Sequence, residues 1–278
     1  IIRKINSIII FQGFIRMTNR IKKSIAHTIS KHGVPIASFL TVGYPSIKLF
    51  PDILDGVIEG GSDIIELGIP FSDPLAEGPT IQKTSNQALN NGINLEKVLT
   101  IAEKTRKSYP NLPIVLMGYI NPFLKYGLEN LIPILNTIDI DGLIIPDLPF
   151  EESETINNLI GSSNISLIPL ISPTSPDKRI QQSAQSANSF IYCVSISGVT
   201  GARSNIPEYL PKLVQRIRLS TNTHILVGFG ISNKKQIDQI KTFADGVVVG
   251  SALLDCISKS SPSNAASNAK KFIQNLKS

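Results

Sequence analysis

Continuous runs of apolar residues recur eight times along the chain and alternate with amphipathic stretches. A strand buried on both faces carries apolar side chains on both, whereas a half-exposed strand alternates apolar and polar residues. The runs are continuous rather than alternating, so they predict eight buried strands. They cover residues 35–42, 63–70, 114–119, 141–147, 166–172, 190–195, 224–230 and 245–250.

The stretches between these runs place apolar residues three and four positions apart, which is typical of helices that pack on one side. One further helical pattern precedes the first run and predicts an additional helix at the N-terminus. The predicted helices cover residues 18–31, 47–59, 95–109, 124–135, 151–160, 175–187, 209–219, 232–243 and 264–276.

Eight strand–helix units require parallel strands joined by right-handed crossovers, and that number of units closes most simply into a barrel. We therefore predict an α/β fold, a single (β/α)8 TIM barrel with an extra N-terminal helix and an active site at the C-terminal ends of its strands. A doubly wound open sheet is the alternative. That fold usually has G-x-G-x-x-G after its first strand, where this chain has Gly43-Tyr-Pro.

Composition narrows the classes of function. The 278 residues are 42% hydrophobic, which supports a large core, yet no apolar stretch approaches the roughly 20 residues of a membrane span. The net charge of +6 arises near the N-terminus, since residues 1–51 contain no acidic side chain and the rest is nearly neutral. We therefore expect neither nucleic acid nor membrane as a partner. Two Cys and three His without ligand spacing predict no metal site.

The first residues differ from the remainder. Residues 1–16 are rich in Ile and precede Met17, so we predict an N-terminal extension over 1–16, disordered or not native, and a catalytic barrel domain over 17–278. Frequent Ile and Asn fit an AT-rich genome such as that of a plastid. This composition favours a soluble protein of the plastid stroma, with the bacterial cytoplasm as the alternative.

Two carboxyl groups follow the second run. Glu66 lies among apolar neighbours, and burial without a cation raises the pKa of a carboxyl, which makes it a candidate general acid or base. The alternative is a buried glutamate that bonds to the backbone. Glu77 lies in the following loop, stiffened by Pro74, Gly78 and Pro79. It is either a second catalytic carboxylate at the barrel mouth or a solvated loop residue, with equal weight.

Glycines at three strand ends predict a phosphate site. Runs seven and eight end in Gly228-Phe-Gly and Gly250-Ser, and loops at these positions of a barrel commonly bind phosphate. A short helix that begins at Ser251 would direct its positive end towards the same place. The loop 198–202, with two further glycines, is a candidate lid.

These motifs are similar to those of the tryptophan synthase α-subunit family. The run ELGIPFSDPLAEGPTIQ at 66–82 resembles the family signature at every position except Glu77, where the family normally has Asp. The resemblance continues through LMGYINP (116–122), PDLP (146–149), GVTG (198–201), GFGI (228–231) and GSA (250–252), and it spans residues 18–276.

The resemblance implies a lyase that cleaves indole-3-glycerol phosphate to indole and glyceraldehyde 3-phosphate, in the last steps of tryptophan biosynthesis. It implies that Glu66 moves the proton between indole C3 and the glycerol hydroxyl, and that Glu77 binds the indole N–H. The other implied residues are Phe39, Tyr119, Tyr192, Thr200 and Phe229 for substrate binding, and Gly201, Gly230, Gly250 and Ser251 for phosphate binding.

The resemblance also implies a partner, the β subunit, in an α2β2 heterotetramer. Pyridoxal phosphate belongs to that subunit, so we expect no cofactor in this chain. Because Glu is one methylene longer than Asp, the alternative function is a low-activity or non-catalytic allosteric partner of the β subunit. A related phosphate-binding barrel isomerase is a third possibility.

Overall fold

The computed structural model describes residues 19–161, 163–194, 206–228 and 230–278. Within these ranges it contains nine strands, and each falls inside one of the eight predicted runs. The strands are β1 (Ile36–Thr41), β2 (Ile64–Gly68), β3 (Ile114–Met117), β4 (Gly142–Ile144), β5 (Ser166–Leu167), β6 (Leu170–Ile171), β7 (Phe190–Val194), β8 (His224–Gly228) and β9 (Gly246–Val249).

Helices follow most strands. In the described residues they are α1 (Arg20–Ser30), α2 (Phe50–Glu59), α3 (Pro79–Asn90), α4 (Leu95–Ser108), α5 (Ile120–Tyr126), α6 (Leu128–Ile138), α7 (Ser153–Ile160), α8 (Asp177–Ser186), α9 (Tyr209–Arg218), α10 (Lys234–Ile240), α11 (Ser251–Ser258) and α12 (Ala265–Lys277), with a 3₁₀ turn at Phe150–Glu152. None of these helices is both long enough and apolar enough to cross a membrane.

All strand pairs are parallel, in the order β5-β4-β3-β2-β1-β9-β8-β7-β6. The fifth run supplies both ends of this order, because Ile168 and Pro169 divide it into β5 and β6. The Ile168 N–H donates to the Leu143 carbonyl at 2.9 Å, and the Pro169 carbonyl accepts from the Tyr192 N–H at 3.0 Å. The fifth run therefore joins β4 to β7 and closes the ring, which confirms the predicted barrel.

The helices differ from the prediction in two regions of the chain. The single helix predicted over 124–135 is wrong, because Gly127 adopts φ of +88° and separates α5 from α6. Such a φ suits glycine and interrupts a right-handed helix. The hydrophobic pattern also misses α3, because its buried face consists of Thr84, Ser85 and Ala88 rather than large apolar side chains.

The extra N-terminal helix is present as α1. The Asn19 side chain accepts from the Ile21 and Lys22 N–H groups and so caps the first turn. Ile21 and Ile25 are fully buried, and Asn19 reaches Ser166 at the start of β5. Helix α1 thus covers the N-terminal end of the barrel, opposite the predicted active site. The predicted extension over 1–16 lies outside the described residues and stays a prediction.

Asp141, at the start of β4, is the centre of a buried ion-pair network beneath the barrel. Its carboxylate accepts from Arg20 Nε at 2.8 Å, from Arg106 Nη2 at 2.6 Å and from the Ile114 N–H at 2.8 Å. The Asp141 side chain is only 4% exposed. Its removal leaves Arg106 without its buried counter-charge, whereas Arg20 keeps the partly exposed Asp139.

Asp141→Ala is therefore expected to lower the free energy of unfolding by about 3–5 kcal/mol, the usual cost of breaking a buried pair from one side. Urea denaturation of the purified chain measures this quantity. The exposed Glu103, paired with Lys107 across one helical turn, provides the control, since Glu103→Ala should cost no more than about 0.5 kcal/mol. Equal costs for the two variants would contradict the prediction.

Candidate active site

Glu66 is the third residue of β2, beside Phe39 of β1 and Val115 of β3. It is fully buried, and neither carboxyl oxygen has a hydrogen-bond partner among the described residues. Burial, together with the negative charge of Glu77, raises the pKa of Glu66 to about 8. This carboxyl therefore holds its proton at neutral pH. It does not bond to the backbone of the described residues, as the alternative interpretation of a structural glutamate would require.

Strand alternation directs Glu66 into the barrel. Side chains two residues apart on a strand share one face, and Gly68 lines a small recess at the barrel mouth together with Phe39 and Met117. A Cβ on Gly68 would lie 2.4 Å from Phe39 Cζ, so only glycine leaves space for that ring. Glu66 consequently lies one layer beneath the recess, below the edge of the Phe39 ring.

Glu77 lies in the loop between β2 and α3 and is half-buried. Its N–H donates to the Pro74 carbonyl at 3.0 Å, and its carbonyl accepts from Gln82 Nε2 at 2.9 Å. Desolvation raises the pKa of the Glu77 carboxyl to about 7. A solvated loop residue would not experience this desolvation. The environment of Glu77 therefore favours the interpretation as a catalytic carboxylate over that as a solvated loop residue.

Tyr119 holds the same loop from the next strand. The Ala76 N–H donates to the Tyr119 hydroxyl at 2.8 Å, and the Tyr119 ring stacks on Phe71 with centroids 5.2 Å apart. Tyr119 follows β3, so its position is set by the barrel rather than by the loop. The backbone next to Glu77 is thereby tied to a fixed part of the fold.

A cavity of about 620 Å³ opens at the C-terminal ends of the strands, a size typical of small-molecule sites. Tyr119 lies in the adjoining recess, which shares Phe39 and Glu77 with the cavity. Glu66 itself lines neither the cavity nor the recess. The predicted site residues that line the cavity are Phe39, Glu77, Tyr192, Gly230, Gly250 and Ser251.

Tyr192 brings the two carboxyls into one environment. It lies on β7, where burial and the charges of Glu66 and Glu77 raise the pKa of its hydroxyl well above the ordinary value. Its ring occupies the space over Gly228, where a Cβ would lie 2.4 Å from a ring carbon. Tyr192 is therefore neutral and can donate a hydrogen bond. Burial raises the pKa of its neighbour Cys193 to about 12, which leaves an unreactive thiol.

The glycine-rich side of the cavity has the features of an anion site. Gly230 has φ of +53°, Gly250 precedes α11, and Ser251 is the first residue of that helix. All three line the cavity, so the positive end of α11 faces its interior. Thr200, Gly201 and Phe229, with the candidate lid 198–202, lie outside the described residues.

Two charged residues that line the cavity, Asp147 and Arg179, were not among the predicted site residues. Asp147 follows β4 and accepts from the Ile120 N–H at 2.9 Å, and its place at a strand end is a signal that the sequence contains. Arg179 lies on α8 and pairs with Glu151 at 2.9 Å, and no pattern distinguishes it from other helical arginines. Among the described residues, no cluster of His, Cys, Asp or Glu could hold a metal ion.

Comparison with known proteins assigns the family. Residues 25–278 match the family model described as tryptophan synthase alpha chain. The tryptophan synthase alpha chain of Chloroflexus aggregans is 39% identical over 258 residues, 93% of this chain and 97% of that protein. The protein of the same name from Thermoanaerobacter sp. is 41% identical over 260 residues, 93% of this chain and 98% of that protein.

The solved structures agree. A structure of Mycobacterium tuberculosis tryptophan synthase superimposes with a TM-score of 0.85 at 30% identity, and the match covers 93% of this chain and 96% of that chain. The chain that carries the barrel, the buried Glu66 and the glycine-lined cavity thus matches one family over residues 25–278. The chain belongs to the tryptophan synthase alpha chain family.

Proposed function

We propose that Glu66 and Glu77 are the catalytic carboxyls of this lyase. The activity of the family is the cleavage of indole-3-glycerol phosphate to indole and glyceraldehyde 3-phosphate. The observation that carries the proposal is the Glu66 carboxyl, fully buried, without a hydrogen-bond partner among the described residues, and with its pKa raised to about 8. Such a group is protonated when substrate arrives and has a proton to give.

The reaction then follows one proton through a cycle. Glu66 donates its proton to indole C3, and the carboxylate that results accepts the proton of the glycerol hydroxyl. The bond between indole C3 and the glycerol carbon breaks, its electron pair returns to the ring, and the hydroxyl carbon becomes the aldehyde. Glu66 ends protonated, as it began. Its unpartnered oxygens allow the carboxyl to turn towards the cavity once substrate is bound.

Glu77 has a different role. Protonation at C3 leaves positive charge on the indole nitrogen, and an ionised carboxylate that accepts the N–H hydrogen bond stabilises this charge. Phe39, Tyr119 and Tyr192 provide the walls for the ring, and Gly230, Gly250 and Ser251 with α11 hold the phosphate. Thr200, Phe229 and Gly201 are proposed for lid, pocket and phosphate contacts from the family resemblance.

The two roles predict a bell-shaped pH profile of kcat/KM. Glu77 works ionised, so activity should rise as pH increases through about 7, its pKa. Glu66 works protonated, so activity should fall as pH increases through about 8. Because the two carboxyls interact, removal of one also shifts the limb that the other produces. Initial rates of indole release across this range measure the profile, and a flat profile would contradict the assignment.

Membership of the family implies a β-subunit partner and assigns pyridoxal phosphate to that partner. We propose that the assembly is an α2β2 heterotetramer, which sedimentation of the mixed subunits tests.

The prediction of the plastid stroma rests on composition alone. The relatives described above come from bacteria, which do not favour it.

An indole-release assay on the purified chain, with and without a β subunit, tests the lyase activity. Turnover of indole-3-glycerol phosphate supports it. Binding of substrate without turnover under both conditions would favour the non-catalytic allosteric partner, which the comparisons do not favour over the lyase. Ring-opening of a phosphoribosyl substrate without indole would indicate a barrel isomerase.

A further inference from the structure

One side-chain hydrogen bond connects α3, which follows β2, to α11, which follows β9. The Thr80 hydroxyl, in the first turn of α3, donates to Asp255 Oδ1 of α11 at 3.0 Å. Both residues are half-buried. A hydrogen bond to a carboxylate that is partly shielded from water is stronger than one between neutral groups. The contact therefore holds the start of α3 against the side of α11.

Each helix carries one half of the site. Helix α3 begins at Pro79, two residues after Glu77, and its Gln82 side chain binds the Glu77 carbonyl. Helix α11 begins at Ser251, which lines the glycine-rich side of the cavity. The distance between these two helix starts thus determines how far Glu77 lies from the anion-binding side.

The other side-chain hydrogen bonds of α3 lead elsewhere. Thr84 bonds to Thr41 of β1 at 2.8 Å, and Ser85 binds both the N–H and the carbonyl of Phe71 in the preceding loop. These contacts fix α3 on the barrel wall. Among the side-chain hydrogen bonds of α3 in the described residues, the Thr80 contact alone reaches α11.

We propose that the Thr80–Asp255 hydrogen bond is a positioning contact for the lyase, which sets the distance between the Glu77 carboxylate and the phosphate site. The inference rests on the proposed function of Glu77. Neither Thr80 nor Asp255 lines the cavity, so both act through their neighbours. When the phosphate is bound at α11, the contact places the indole nitrogen within reach of Glu77.

This role predicts a specific kinetic change. A displacement of about 1 Å can cost roughly 10²-fold in rate, and the remaining contacts of α3 limit the shift. Thr80→Val, which removes the hydroxyl at nearly constant volume, is expected to lower kcat roughly tenfold. The phosphate contacts stay intact, so KM and the inhibition constant of inorganic phosphate should change less than about twofold.

Conservative variants separate positioning from general stability. Thr80→Ser keeps the donor and Asp255→Asn keeps an acceptor oxygen, so both should retain kcat within about threefold. Asp255→Ala should resemble Thr80→Val, and the double variant should be no worse than either, as expected for one shared contact. Thr100→Val is the control, because the exposed Thr100 hydroxyl bonds within its own helix to the Glu96 carbonyl.

The variants are assayed as the full chain with a β subunit, below the midpoint of thermal unfolding of each. Unchanged kcat in Thr80→Val would overturn the inference, as would equal losses in Thr80→Ser and Thr80→Val, or a rise in KM alone. If Thr80→Val does not fold, the kcat of Asp255→Ala is compared with that of Asp255→Asn. Equal kcat values for these two variants would then overturn the inference. Failure of the proposed function is a distinct result. In that case Glu77→Gln would leave kcat unchanged in a chain that keeps both Thr80 and Asp255.

Discussion

Glu66→Gln is expected to lower kcat for indole release by about 10³-fold, within the 10²–10⁴-fold that general acid–base catalysis contributes. Glutamine keeps the shape of the protonated carboxyl but has no proton to give to indole C3 and no carboxylate to receive the hydroxyl proton. Because the pKa of Glu66 is about 8, its side chain is uncharged at neutral pH. At that pH the substitution therefore changes the charge of the core little. KM should therefore stay within about threefold.

The fold and the phosphate site provide the controls for this variant. The thermal midpoint of Glu66→Gln should stay close to that of the unmodified chain, since a neutral group replaces a neutral group. Glu96→Gln, at an exposed position of the first turn of α4, should leave kcat unchanged. If Glu66→Gln kept more than a tenth of the activity, Glu66 would not be the proton donor.

The barrel could be predicted because a parallel sheet covered by helices buries both faces of each strand. That requirement appears in the sequence as continuous apolar runs, and it located Glu66 as a polar exception inside one of them. The division of the fifth run had no such signal beyond Pro169, whose missing N–H prevents it from donating to a neighbouring strand. Helix α3 was missed because small polar residues fill its buried face.

The site was predictable where strand ends define it and unpredictable where distant segments meet. Glu66 and Gly250 follow from the rule that barrels carry function at the C-terminal ends of their strands, whereas Tyr119 was implied by the family resemblance. Arg179 reaches the cavity from a helix, and Thr80 and Asp255 are 175 residues apart in sequence. Contacts of this kind depend on how helices pack, which no local pattern reports.

Glu77 provides the second large expected effect. Glu77→Gln should lower kcat about 10²-fold, because an amide leaves the developing charge on the indole nitrogen without its counter-charge. The low-pH limb of the profile should disappear with it, since Glu77 is the group that ionises near pH 7. Retention of that limb in Glu77→Gln would assign it to another residue.

Glu77→Asp tests whether the longer side chain suits this site. The Ala76 N–H is bound to Tyr119 and the Glu77 carbonyl to Gln82, so the backbone has little freedom to follow a shorter side chain. Withdrawal of the carboxylate by about 1 Å should then lower kcat by roughly tenfold or more, with KM nearly unchanged. A rise in kcat would reverse this conclusion. Glutamate would then be the defective residue, and the chain would act mainly through its β subunit rather than by its own turnover.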